Sequence, residues 1–325
     1  MNRLTENKII LLTRPTRLAE LVHRFNTIAQ AKFYVEHLGA DFSDYLAEDQ
    51  TYAGAVSETA SALERLGRVQ RLDRAFVPNF VFGPQDLIVV LGQDGLVANT
   101  LKYLQGQPVI GVNPDPARWD GQLLPFQVRD VPKIVPEVFQ NRRPSKAVTM
   151  AEVTLNTGQT LLAVNDFFIG PRTHISARYR IQCRGENERH SSSGIIVSTG
   201  LGSTGWLRSL LTGAAAVAAA SKNIQSQENQ GHKKRKKQAA HDAAGSVPWD
   251  TDYLFFTVRE PFPTRNTGAS LVFGKVTRHD PLTLTSEMAE NGVIFSDGIE
   301  KDFIEFNAGT KAVIAPAERQ GRLVV

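Results

Sequence analysis

Three short segments concentrate groups that could act on phosphates. Gly92-Gln93-Asp94-Gly95 follows the apolar run Asp86-Leu87-Ile88-Val89-Val90-Leu91 and precedes a helix-like run from Val97 to Leu104. Open α/β sheets bind ligands at that carboxyl edge. Glycines there let backbone N–H groups approach phosphate oxygens, and the start of a helix favours negative charge. A carboxylate repels phosphate, so Asp94 needs a chemical role at such a site. It could be a general base for an attacking hydroxyl, or a contact to Mg²⁺. The same four residues also suit a tight strand-to-helix turn with Asp94 as its cap.

The second segment is Asn165-Asp166, a polar pair within the apolar stretch Ala163 to Ile169. Placed inside a strand, the two side chains point to opposite faces, so one can enter a cleft while the other supports the backbone. A bulge or a turn at a strand edge explains the pair equally well. The third is Ser198-Thr199-Gly200-Leu201-Gly202-Ser203-Thr204-Gly205-Trp206, which again follows a strand and opens a helix. Glycines and hydroxyls at a helix start suit a phosphate or a ribose, or serve as a structural cap. The cluster has neither the lysine of a Walker loop nor the spacing of a dinucleotide fingerprint.

The elements that must position these groups divide the chain. In residues 1–143 short β-branched runs alternate with helical periodicity. Ile9-Ile10-Leu11-Leu12 reads as a buried strand, and Leu18, Leu21, Val22, Phe25 and Ile28 give a helix one apolar face. A helix from about Ala53 to Leu66 ends at Gly67, and Pro108-Val109-Ile110-Gly111-Val112 closes a βαβ unit. This half is an α/β domain with a parallel sheet. From residue 144 to 304 the pattern predicts a β-rich domain, with strands at Val148–Leu155, Gln159–Ile169, Ser176–Gln182, Gly194–Ser198, Leu254–Val258 and Ser270–Val276. An alanine-rich helix runs from Ser203 to Ala220, and the polar stretch of about 221–246 is expected to be a mobile surface loop.

The composition is that of an ordinary globular protein, 42% hydrophobic and 22% charged in 325 residues. No run approaches the roughly 18–20 apolar residues of a membrane helix. The start lacks the apolar core of a signal peptide, and the single Cys183 excludes an internal disulfide, so a cytoplasmic location is expected. The formal charge of +4 is owed to the run Lys233–Lys237, without which the chain is close to neutral. That run reads as a solvated loop or as a flexible cover bringing positive charge to phosphates; it lacks the interleaved aromatics of a nucleic-acid site. Cys183 and the seven histidines show no metal-ligand spacing.

In order and setting these segments resemble the NAD kinases, and their mitochondrial-type branch more than the common bacterial one. The resemblance spans most of the chain. It rests on Ile9-Ile10-Leu11-Leu12-Thr13-Arg14-Pro15-Thr16-Arg17, Gly92-Gln93-Asp94-Gly95, and Pro108 to Pro116. It continues in Asn165-Asp166-Phe167-Phe168-Ile169-Gly170, Ser192-Ser193-Gly194 with Ser198 to Trp206, and Ser296-Asp297-Gly298. It implies the NAD kinase/diacylglycerol kinase-like fold: an α/β N-terminal domain, a β-rich C-terminal domain, an active site in the cleft between them, and residues 305–325 packing back on the first domain. It further implies a homodimer that transfers the ATP γ-phosphoryl group to the 2′-hydroxyl of the adenosine ribose of NAD, giving NADP, with Mg²⁺ on the ATP phosphates.

By the same resemblance Asp94 is the general base, while Gly92, Gln93 and Gly95 lie against phosphates. Asn165 and Asp166 hold the substrate's ribose or adenine. Ser203, Thr204, Gly205 and Trp206 line the dinucleotide site, with Ser209 one helical turn further on. Gln93 stands where the family usually has a second glycine, and Leu96 where it has threonine. Asp166 replaces a glutamate, and Ser193 occupies a position that is aspartate in bacterial members. Two alternatives stay open: a kinase of another small alcohol or a lipid on the same fold, and a non-catalytic nucleotide-binding homologue. The chain has no amphipathic basic helix for docking at a lipid surface.

Overall fold

Ile9, Ile10, Leu11 and Leu12 are fully buried and form the centre of β1 (Lys8–Thr13). The computed structural model describes residues 5–229 and 247–325; the run Lys233–Lys237 lies outside them. The chain divides into two units, Met1–Ala147 with Gln320–Val325, and Val148–Arg319.

In the first unit β1 is followed by α1 (Arg17–Phe25), α2 (Ile28–His37), α3 (Phe42–Glu64) and β2 (Arg68–Asp73). Next come β3 (Leu87–Leu91), α4 (Asp94–Leu101), β4 (Pro108–Asn113), β5 (Phe126–Gln127) and α5 (Val131–Phe139). The helix expected to carry both Leu18 and Ile28 breaks at Asn26, which takes a left-handed φ of 67°. Thr27 then caps α2 by accepting from the Gln30 N–H at 3.1 Å. The helix expected to start at Ala53 begins eleven residues earlier, behind an Asp41 cap.

The strands are parallel in the order β2-β1-β3-β4. Residues Leu87 to Leu91 are buried throughout, as in a parallel sheet covered on both faces. On one face Ile9, Leu11, Val89 and Leu91 pack with Tyr52 and Leu63 of α3 and Ile134 and Val135 of α5. Each such aliphatic side chain, fully buried, contributes about 1.5–3 kcal/mol. At the far edge of β4, Arg322 and Leu323 pair with Pro108 and Val109, and β5 pairs with Val112 and Asn113. The chain end that returns to this unit is thus residues 320–325, shorter than the expected 305–325, because residues 305–319 belong to the second unit.

The second unit contains β6 (Ser145–Leu155, entering from the first unit), β7 (Thr160–Ala163), β8 (Asp166–Pro171), β9 (Ala177–Cys183), β10 (Glu186–Ser192) and β11 (Ile195–Ser198). After α6 (Trp206–Asn229) come β12 (Tyr253–Val258), β13 (Phe273–Thr277), β14 (Leu282–Ser286), β15 (Gly292–Ser296), β16 (Ile299–Glu305) and β17 (Lys311–Val324). One antiparallel layer runs β10-β9-β14-β17, with β6 on β17 and β7 on β6. The other runs β13-β12-β11-β8-β15-β16. Their facing residues, among them Val153, Phe167, Tyr179, Val197, Phe256, Ile294 and Ile314, form one core.

Two expectations are corrected here. The run 159–169 is two strands, not one, because the chain breaks at Val164 and Asn165 between β7 and β8. The alanine-rich helix starts at Trp206 after a 3₁₀ turn at Gly202–Thr204 and continues to Asn229, so 221–229 is helical instead of loop.

Candidate functional site

Two constellations carry the residues singled out by type and spacing, one in each unit. In the first unit the chain leaves β1 towards β2 on one side and returns to β3 on the other. The carboxyl ends of β1 and β3 therefore flank a topological switch point, where sheets of this kind bind ligands. Gly92-Gln93-Asp94-Gly95 is the turn at that point. Gln93 is the N-cap of α4 with an ordinary extended backbone (φ −117°), so this position places no demand for glycine. No side chain caps the helix start, and Gly95 is exposed with nothing within 4 Å of where a Cβ would stand. Gly92 is buried, and a Cβ there would stand 2.9 Å from Leu96 Cδ2.

Asp94 is the first residue of α4 and not its cap. Its carboxylate accepts from the backbone N–H of Leu123 at 2.8 Å and of Gln122 at 3.1 Å. These donors belong to the loop after β4, whose course depends on three residues. Asn113 donates through Nδ2 to the Trp119 carbonyl and accepts from the Asp115 N–H. Gly121 turns with φ +67°, and Gly111 admits the Leu123 carbonyl, which would lie 1.9 Å from a Cβ at that position. The Asp94 carboxylate is thereby fixed in orientation.

The two strand ends are tied by Tyr52 of α3. Its hydroxyl accepts from the Arg14 N–H at 3.0 Å and donates to the Leu91 carbonyl at 2.8 Å. The Arg14 guanidinium lies over the Tyr52 ring, 5.3 Å from its centroid, and pairs with the buried Glu48 at 2.9 Å. Arg17 bonds Glu48 and Asp44, and Asp44 also pairs with Arg118 at 2.6 Å. Burial alone would raise the Glu48 carboxyl, but Arg17 and Arg14 hold it below its ordinary value. Arg118 and Arg17 hold Asp44 well below the carboxylate range. This side of the switch point is a fixed array of cations and carboxylates.

In the second unit, Asn165 and Asp166 sit where β7 gives way to β8. Asp297, at φ 54° in the β15–β16 turn, holds the break open. Its carboxylate accepts from the N–H groups of Val164 at 3.0 Å and Asn165 at 2.6 Å. In return its own N–H donates to the Asp166 carbonyl. Asp166 is 8% exposed, and burial together with the neighbouring Asp297 charge pushes its carboxyl up to about 7.

The glycine and hydroxyl cluster packs on the same break. Thr199 donates through its hydroxyl to the Val164 carbonyl at 2.6 Å and through its N–H to the Asn165 carbonyl at 2.9 Å. Gly202 lies so near that a Cβ would be 2.0 Å from the Asn165 oxygen. Ser203 is buried and donates to the Gly200 carbonyl, so its hydroxyl supports the turn. Thr204, Gly205 and Ser209 are exposed, and Trp206 is half-buried and stacked 5.9 Å from Phe168. The structure thus gathers Asn165, Asp166, Ser203, Thr204, Gly205 and Trp206 in one unit, and Gly92, Gln93, Asp94 and Gly95 in the other.

Sequence reasoning assigned no role to Tyr52, Leu123 or Asp297. The first is an aromatic inside a long helix, and the second acts through its backbone. The third stands in a Ser-Asp-Gly turn whose signal was conformational. Among the described residues no group of three or more histidine, cysteine or acidic side chains could hold a metal ion, and no helix is long and apolar enough to cross a membrane.

No protein-family model matches the chain, and no curated protein does. Solved structures do. An NAD kinase from Archaeoglobus fulgidus in complex with ATP superposes with a TM-score of 0.56 at 15% identity, over 98% of this chain and 93% of that one. A yeast NADH kinase complexed with NADH superposes with a TM-score of 0.58 at 16% identity, over 99% and 84%. The α/β N-terminal unit with its parallel sheet and the antiparallel β-rich C-terminal unit therefore share the fold of NAD kinases.

Proposed function

We propose that this chain is an ATP-dependent NAD kinase that phosphorylates the adenosine ribose 2′-hydroxyl to give NADP. The observation that carries this reading is the turn at the switch point. An uncapped helix start with an exposed glycine stands ready for phosphate, beside a carboxylate oriented by two backbone donors. It is supported by the shared fold, since one neighbour is complexed with ATP and the other with NADH.

In this reading the 2′-oxygen attacks the γ-phosphorus, the bond from that phosphorus to the β,γ-bridging oxygen breaks, and ADP leaves. The hydroxyl proton passes to the Asp94 carboxylate. Gln93 and Gly95 present backbone to the phosphates, while Gly92, buried and with its N–H on the Val112 carbonyl, supports the turn. Asn165 and Asp166 hold the acceptor's ribose or adenine, and Thr204, Gly205, Trp206 and Ser209 line the dinucleotide site, with Ser203 as support. Asp94 is committed to the hydroxyl proton in this reading, and among the described residues no group of three acidic, histidine or cysteine side chains offers an ion its own site, so magnesium would arrive on the ATP phosphates. When bound, the ion neutralises phosphate charge. A homodimer belongs to the same reading.

The test is to incubate the purified protein with Mg-ATP and either NAD or NADH, and to follow the 2′-phosphorylated product with a coupled dehydrogenase. Product formation is expected. ATP turnover only with another alcohol would reassign the acceptor, and nucleotide binding without any turnover would leave a non-catalytic homologue.

A further inference from the structure

The six-stranded layer of the second unit buries Phe167, Ile169 and Ile294 on its core side. On the opposite side the register places Phe168 beside Phe295 and Phe295 beside Phe303. The rings form a continuous row, with centroids 6.2 Å and 5.6 Å apart. Beside them opens a pocket of about 670 Å³ lined by Phe168, Pro171, Arg172, Phe295, Lys301 and Phe303. That volume is within the roughly 300–1,000 Å³ of small-molecule sites.

Two glycines make room for this row. A Cβ at Gly170 or at Gly194 would stand 2.8 Å from the Phe168 ring, and Gly194 takes φ +107°. Phe168 therefore lies flat over backbone. The polar side of the pocket is cationic. The Arg172 guanidinium rests 3.7 Å from the Phe303 centroid, which fixes an otherwise exposed side chain at the pocket wall. Lys301 is the second cation, and among the described residues that line the pocket there is no carboxylate.

An aromatic floor of Phe168 and Phe295, their rings inclined by 27°, with two cations at one side is complementary to a planar ring carrying an anionic group. We propose that this pocket binds a small aromatic anion of the nucleoside monophosphate kind, its base stacked on Phe168 and Phe295 and its phosphate held by Arg172 and Lys301. Through the stacking of Phe168 on Trp206 the pocket adjoins the proposed dinucleotide site, but none of its lining residues is given a role in the proposed kinase reaction, and the pocket does not depend on that reading.

Photolabelling of the full chain with 8-azidoadenosine 5′-monophosphate, followed by peptide mapping, tests it. Label is expected in the peptide covering residues 295–303. AMP should protect against it, while adenosine or inorganic phosphate alone should protect at least about tenfold less well, since each supplies half the contacts. Arg172→Gln, a change at an exposed side chain, should lower labelling there by about tenfold, as for one lost charge-assisted contact. Asn165→Ala should leave it unchanged, which separates this pocket from the proposed dinucleotide site. Absence of label from that peptide, equal labelling of Arg172→Gln, or full protection by phosphate alone would overturn the proposal. So would an unlabelled pocket on a dimer that Phe303→Glu converts to monomer, which would give the face to a second copy.

Discussion

The backbone N–H of Leu123 donates to the Asp94 carboxylate at 2.8 Å, so a residue at the start of α4 is oriented by the loop beyond β4. Gly111 makes this possible by admitting the Leu123 carbonyl. Gly111→Ala should therefore displace the loop and free the carboxylate. A stability loss of about 1–3 kcal/mol, typical of overpacking, is expected in urea denaturation. Turnover with Mg-ATP and NAD should fall together with it. Turnover at the wild-type level would show that the loop does not position Asp94.

Gly95 separates fold from function, because a Cβ there meets nothing within 4 Å. Gly95→Ala should change stability by no more than about 1 kcal/mol, in the direction of helix propensity. If phosphate lies against this helix start, the methyl group should weaken ATP binding by about tenfold in calorimetry. Unchanged ATP affinity in a fully folded variant would move the phosphates elsewhere.

Tyr52 joins the ends of β1 and β3 through one hydroxyl. In Tyr52→Phe the Arg14 N–H and the Leu91 carbonyl lose their common partner in a buried place. The expected cost is about 1–3 kcal/mol, read as a lower urea midpoint with an unchanged slope. A midpoint equal to wild type would mean that the hydroxyl does not hold the two strands.

Asp166 gives the second unit a pH dependence of definite sign. Its carboxyl is raised from 3.8 to about 7 by burial and by the Asp297 charge. The folded state thus binds a proton more tightly than the unfolded state. The stability this provides is complete below about pH 4 and is lost as pH rises towards 7, at up to about 1.4 kcal/mol per pH unit. Asp166→Asn should remove that slope and be more stable than wild type at pH 8. Urea midpoints that run parallel for the two proteins from pH 4 to 8 would contradict it.

Sequence made the first unit legible because its strands are buried on both faces and announce themselves as apolar runs: Leu87 to Leu91 is one. It failed where polar side chains fill inward positions. β10 reads Glu-Asn-Glu-Arg-His-Ser-Ser, yet His190 and Ser192 are buried. There His190 Nε2 meets Glu188 at 2.6 Å, and Tyr179 meets Ser192 at 2.8 Å. A hydrogen-bonded pattern of that kind leaves no hydropathy signal. The break at Asn165 was one of two equal readings of the polar pair, and spacing could not choose between them because the break is held open by Asp297 more than a hundred residues away. Glycine spacing located the two turns of the candidate site. Their supports act through backbone atoms and distant hydroxyls, which spacing does not encode.

At the centre of the proposed reaction, Asp94 receives the proton from the acceptor hydroxyl. The most direct measurement is the rate of NADP formation by Asp94→Asn, beside calorimetric titration of the same variant with ATP and with NAD. Asparagine keeps an oxygen to accept from Leu123, so binding should remain close to wild type. Turnover should fall by about 10²-fold or more. Turnover within a factor of about two of wild type, with binding intact, would contradict the assignment.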